Sequence, residues 1–278
     1  MSSNPVFNRI DRDARQGYAG FEPARQAAPG AYAGQEAMSA QQLQDLYSQP
    51  SAGPVQTGRV TMDDVIMKTL SLFALVVVFG AGGWFLAKSR PDLGLVLLLG
   101  GIVLTLGLGF AISLKKSISV PLIVLYAAVE GVFVGAVSRF YENAYDGIVG
   151  QAILATLATF AGMFLAYKFG LIKVTDKFRR VVSMMIFGYA IFAIVNLGYA
   201  LIAHQQFGFG GSGVLGIGIS LFATGLAAVT LALDFDSIDR AIASGAPEKY
   251  SWLLAHGLIV TVVWLYLEML RLLGRMRN

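Results

Sequence analysis

Apolar residues occur along this chain in seven long stretches broken by short polar segments. The stretches fall near residues 69–87, 93–113, 120–137, 148–167, 181–203, 214–233 and 252–270. Each reaches the ~18 residues a helix needs to cross a bilayer, so the pattern predicts an all-α membrane protein with seven transmembrane helices. Short connections favour up-and-down packing of neighbours.

The preceding segment has no sustained apolar period and is rich in Gln, Ala, Ser, Gly and Pro. Such a composition cannot bury a core, so residues 1–58 are expected to form a disordered cytoplasmic arm ahead of a transmembrane domain over 59–278. The arm carries no signal-peptide core, which leaves the first membrane helix as the expected targeting signal. Thr61, Asp63 and Asp64 fit the start of that helix: a hydroxyl to cap it, and two acids for the positive end of its dipole.

Composition narrows the function classes. Hydrophobic residues make up 56% of the chain and charged residues only 14%, unlike an ordinary soluble domain. There is no cysteine, which excludes disulfides, thiolate metal sites and cysteine catalysis. The net charge of +4 lies in membrane-flanking segments, where it suits lipid headgroups; no basic stripe with interleaved aromatics points to nucleic acid. Of the 21 lysines and arginines, 15 fall on the side that carries the N-terminus, which predicts a cytoplasmic N-terminus. The basic C-terminal tail opposes this, and a re-entrant last segment with six true spans is the competing topology.

Candidate chemistry rests on acids within or beside apolar sequence, which are costly there unless paired, hydrated or used. Glu130 lies about eleven residues into the third span and therefore near mid-membrane. Gly131 and Gly135 beside it form a small-xxx-small pattern that admits a close neighbour. Glu130 reads either as an ion or proton site or as a neutral acid hydrogen-bonded to another helix. Asp234, Asp236 and Asp239 sit where the sixth span ends. Asp234 is the deepest, and helical spacing puts Asp236 about 200° from it around the axis. Close carboxylates repel, which would make such a pair sensitive to protons; a solvated acidic helix end is the alternative. In the last span Thr261, Trp264 and Glu268 share a face, and Glu268 is expected to pair with Arg271 or Arg275.

Catalysis is not expected. Gly210-Gly-Ser-Gly213 is similar to the Gly-x-Ser-Gly of rhomboid-like serine proteases, but Ser212 and His256 open successive spans on opposite sides, ~30 Å apart. His204 and His256 offer no metal spacing, and no HExxH or phosphate-binding loop is present.

Three stretches carry a resemblance to a known family: LYAAVEGVFVGAVSRFYE (125–142), LDFDSID (233–239) and AHGLIVTVVWLYLEMLRLLG (255–274). Together with the opening NPVFNR, they resemble the transmembrane Bax inhibitor motif family in its bacterial YccA-like branch. The resemblance implies seven helices, six surrounding the last, in a bacterial inner membrane. It also implies a pH-sensitive calcium leak with no cofactor, Ca²⁺ being the permeant ion. In the family, two aspartates on the last two helices share a proton and hold a gate shut, helped by a basic residue ending helix two. Asp234 matches the first aspartate, and Lys115 or Lys116 the basic residue. Thr261 stands at the second aspartate and cannot titrate, so the pH response is either lost or carried by another acid, with Asp236 and Glu130 the candidates. A transient Ca²⁺ would then sit at Asp234 and Glu130. The competing expectation is a non-transporting regulatory protein that binds a membrane protease or other membrane partner through residues 1–58.

Overall fold

The computed structural model describes residues 58–204 and 207–278. The expected arm over 1–58 therefore lies outside the described residues, apart from Gly58. The described chain forms seven helices long and apolar enough to cross a membrane: α1 (Met62–Ser89), α2 (Gly94–Leu114), α3 (Val120–Ala144), α4 (Ile148–Lys168), α5 (Asp176–Ile202), α6 (Val214–Ala243) and α7 (Tyr250–Arg277). A short 3₁₀ turn, Pro91–Leu93, leads into α2.

The helix starts are chemically marked. Thr61 accepts from the Asp64 amide (3.2 Å) while its own hydroxyl donates to the Asp64 carboxylate (2.8 Å), which satisfies an otherwise orphaned amide of α1. Thr175 caps α5 through Phe178 N (3.1 Å). Glu142, on α3, reaches forward to the amides of Gly147 and Val149 and so caps α4.

Helices α1 and α3 form the tightest backbone contact. A methyl group at Gly135 would overlap the Gly80 carbonyl oxygen, one at Gly83 the Val132 carbonyl oxygen, and one at Gly131 would lie 2.7 Å from Val76 O. The small-xxx-small pattern thus faces α1, where packing rather than hydrophobic expulsion must hold helices together.

Helix α7 is the most deeply buried span. It packs against α1, α3, α4 and α6, while α2 lies along α3 and α5 along α6. Leu254, Ile259, Leu265 and Leu270 are fully enclosed. The α6–α7 connection turns at Gly245, whose φ of +66° favours glycine. Gly58–Val60 pairs with that turn: Val60 N donates to Ala246 O (2.8 Å), Glu248 N donates to Gly58 O, and Arg59 bridges Pro247.

Seven passes place the start of α1 and the end of α7 on opposite faces, here called near and far. At the far face Arg277 donates to Asp146 O (2.8 Å) and Gln151 Oε1 (2.7 Å), in the α3–α4 connection and the first turn of α4. The last helix is one continuous helix of 28 residues, about 42 Å at helical rise, long enough to cross a bilayer.

Candidate functional site

Two buried carboxyl groups lie at similar distances along the helices that flank α7. Glu130 is ten residues from the near-face start of α3 and Asp234 nine from the near-face end of α6, each about 14–15 Å inward. Both are about 5% exposed, and each keeps one oxygen, Glu130 Oε2 and Asp234 Oδ2, buried without a hydrogen-bond partner.

Asp234 meets the Thr261 hydroxyl of α7. That hydroxyl also lies 3.2 Å from the Gly257 carbonyl oxygen, one turn back on its own helix. A hydroxyl has one proton, so it serves one acceptor at a time. Facing an ionised Asp234 it donates to the carboxylate. Facing a protonated Asp234 it can accept and turn its own proton to Gly257 O. The interface therefore has two hydrogen-bonded arrangements that differ by one proton on Asp234.

Glu130 accepts from the Tyr126 hydroxyl at 2.9 Å, one turn away on α3. Tyr126 in turn packs edge-on against His256 of α7, ring centroids 4.5 Å apart. Glu130 and Asp234 thus each couple to α7, through Tyr126–His256 and through Thr261, and do not bond to one another.

Asp236 points elsewhere. It accepts from Arg179 of α5 (2.6 Å) and from Arg240 one turn on, because its angular offset from Asp234 turns it to α5 while Asp234 faces α7. Asp239 accepts from Tyr167 of α4 (2.7 Å). Lys115 and Lys116 are exposed at the α2–α3 connection on the near face, outside the depth at which Thr261 reaches Asp234. His256 lies in the second turn of α7 near the near face, whereas Ser212 precedes α6 at the far face.

Nearer the far face, Glu268 is 3% exposed and well partnered. It accepts from Tyr189 of α5 (2.6 Å), from Trp264 Nε1 (3.2 Å) and from Arg271 at both oxygens (3.0 and 3.1 Å). This is a latch between α5 and α7, and the expected partnership with Arg271 is present. Arg275 instead donates to the carbonyls of Gly216 and Phe207.

Sequence reasoning missed Tyr126, Tyr189 and Arg179 as partners of the buried acids. Tyr126 had a signal, its one-turn spacing from Glu130; Tyr189 and Glu268 are 79 residues apart and had none. Among the described residues, no three His, Asp or Glu side chains gather as a metal site.

A family model described as Bax inhibitor 1 like matches residues 4–278 of the chain. A comparison with curated proteins finds no match.

Proposed function

The chain belongs to the Bax inhibitor 1 like family, and on that premise we propose that this multi-pass membrane protein is a pH-sensitive cation leak, with Ca²⁺ the favoured ion. Asp234 and Glu130 provide the acidic path, and the Asp234–Thr261 contact is the gate. The observation that carries the reading is the pair of buried carboxyls on the helices that flank α7, each with one unpartnered oxygen. A buried acid with a free oxygen is costly unless it is protonated or meets a cation. Hard cations take oxygen ligands, so carboxylate oxygens suit Ca²⁺.

On this reading Thr261 replaces a titrating partner with a hydroxyl. The proton switch then belongs to Asp234 alone, with Glu130 as a second and separate titrating group. Lys115 and Lys116 act from the near face as an electrostatic lid on cation entry. The N-terminus is cytoplasmic, in keeping with the charge bias, and the membrane is a bacterial inner membrane, as the resemblance implies. The test is calcium flux in liposomes with each carboxyl neutralised in turn, Asp234→Asn and Glu130→Gln. Unchanged flux in both variants sinks the proposal.

A second reading draws on one observation. Gly58–Val60 is hydrogen-bonded to the α6–α7 turn, the connection of the two helices that carry Asp234 and Thr261. A membrane partner bound to residues 1–58 would act on that connection, and the protein would then act as a regulator without transport. Loss of the partner on deleting 1–57, with no flux in liposomes, supports it.

A further inference from the structure

Arg275 is a buried guanidinium, 2% exposed, whose hydrogen-bond partners are both neutral carbonyls and whose Nε has no partner. Glu268, the carboxylate of the same cluster, is already held at both oxygens by Arg271. The cluster of Glu268, Arg271 and Arg275 therefore carries one uncompensated positive charge. A buried charge of this kind is expensive unless an opposite charge completes it.

A cavity of about 130 Å³ lies against this cluster, between α3, α5, α6, α7 and the connection that leads into α6. Arg271, Arg275 and Asn196 line its polar side. Asn196 uses its carbonyl oxygen to accept from Phe209 N (2.6 Å), which leaves its NH₂ group to donate. Phe192, Leu197 and Ile219 line the apolar side, and Leu197 is 38% exposed on the bundle surface, so the cavity borders the lipid-facing side of α5. The volume is about that of four waters, right for one small charged head and too small for a whole lipid.

We propose that this cavity binds an oxyanion carried on an acyl chain, the phosphate of an anionic phospholipid, with Arg275, Arg271 and Asn196 donating to it. Guanidinium groups match phosphate oxygens in geometry as well as charge. The chain would leave past Leu197 along the outer surface of α5 and α6. The site lies at the far face, well removed from Asp234 and Glu130, and does not depend on whether those acids conduct. By holding α5 and the Phe207–Gly213 segment to α7, the headgroup reinforces the Glu268–Tyr189 latch.

The test is thermal unfolding of the purified full chain in detergent, with added phosphatidylglycerol, diacylglycerol of the same chains, or inorganic phosphate. Saturating phosphatidylglycerol is expected to raise Tm by about 5 °C, with diacylglycerol and equimolar phosphate giving little. Arg275→Gln should lose the response. Because that variant also breaks the bonds to Gly216 and Phe207, Ala193→Phe serves beside it: it fills the cavity from α5 and leaves every Arg275 bond intact. Equal protection by diacylglycerol, or an undiminished phosphatidylglycerol response in Ala193→Phe, overturns the site. Full protection by equimolar inorganic phosphate overturns the lipid source and assigns the cavity to a free oxyanion.

Discussion

Thr261 of α7 stands against Asp234 of α6, and Glu130 lies at a similar distance along α3. The hydroxyl can donate to Asp234 or to Gly257 O but not to both. This single-proton choice gives the contact two hydrogen-bonded arrangements, the basis of the proposed switch.

Restoring a second acid tests the role of the hydroxyl. Thr261→Asp places two carboxyls in contact, and two such groups do not both ionise cheaply. Calcium flux should then depend more steeply on pH than in the wild type. Thr261→Val keeps the shape and removes the hydroxyl beside Asp234. It should destabilise the protein by about 1–3 kcal/mol, read by denaturant or thermal unfolding in detergent.

Tyr126→Phe separates structure from titration at Glu130. It removes the hydrogen bond to Oε1 and keeps the ring against His256. A loss of about 1–2 kcal/mol is expected, with the pH profile of flux displaced but not abolished. A profile identical to wild type would exclude Glu130 from the path.

The Glu268 latch should matter to stability more than to flux. Glu268→Ala leaves Arg271 without its carboxylate and Tyr189 and Trp264 without an acceptor. We expect a cost of about 2–4 kcal/mol, the partial exposure of Arg271 keeping it below that of a fully buried pair. Tyr189→Phe should cost about 1–2 kcal/mol. Both are measured by unfolding.

Gly135→Ala sets a methyl group on the Gly80 carbonyl, where backbone rather than a pliable side chain must yield. Separation of α1 from α3 should cost about 2–3 kcal/mol. Gly150→Ala, in α4 with open space around it, is the control and should stay near wild type.

The apolar pattern placed seven helices, because length and hydropathy alone decide which segments can cross. The helix ends ran further than the pattern showed. Residues 271–277 look like a polar tail, yet α7 continues through them, and Arg271, Arg275 and Arg277 each bond a group elsewhere in the bundle: the Tyr189 hydroxyl, the Phe207 carbonyl and the Asp146 carbonyl. Glu130 and Asp234 were legible as acids in apolar helices. The partnership of Asp236 with Arg179 was not, since it depends on which flank of α6 receives α5. The tyrosines that hold Glu130 and Glu268 were equally hidden: a buried tyrosine and a core tyrosine read alike until the fold brings a carboxylate to its hydroxyl.

The most direct measurement is calcium flux into liposomes holding the purified protein, from about pH 5.5 to pH 8, for wild type and Asp234→Asn side by side. An ionised Asp234 attracts the cation and a protonated one does not. Wild-type flux should therefore rise with pH, and the flux of Asp234→Asn should be lower and flatter across the range. Matching profiles for the two proteins, or wild-type flux no greater than that of empty liposomes at every pH, would contradict the account.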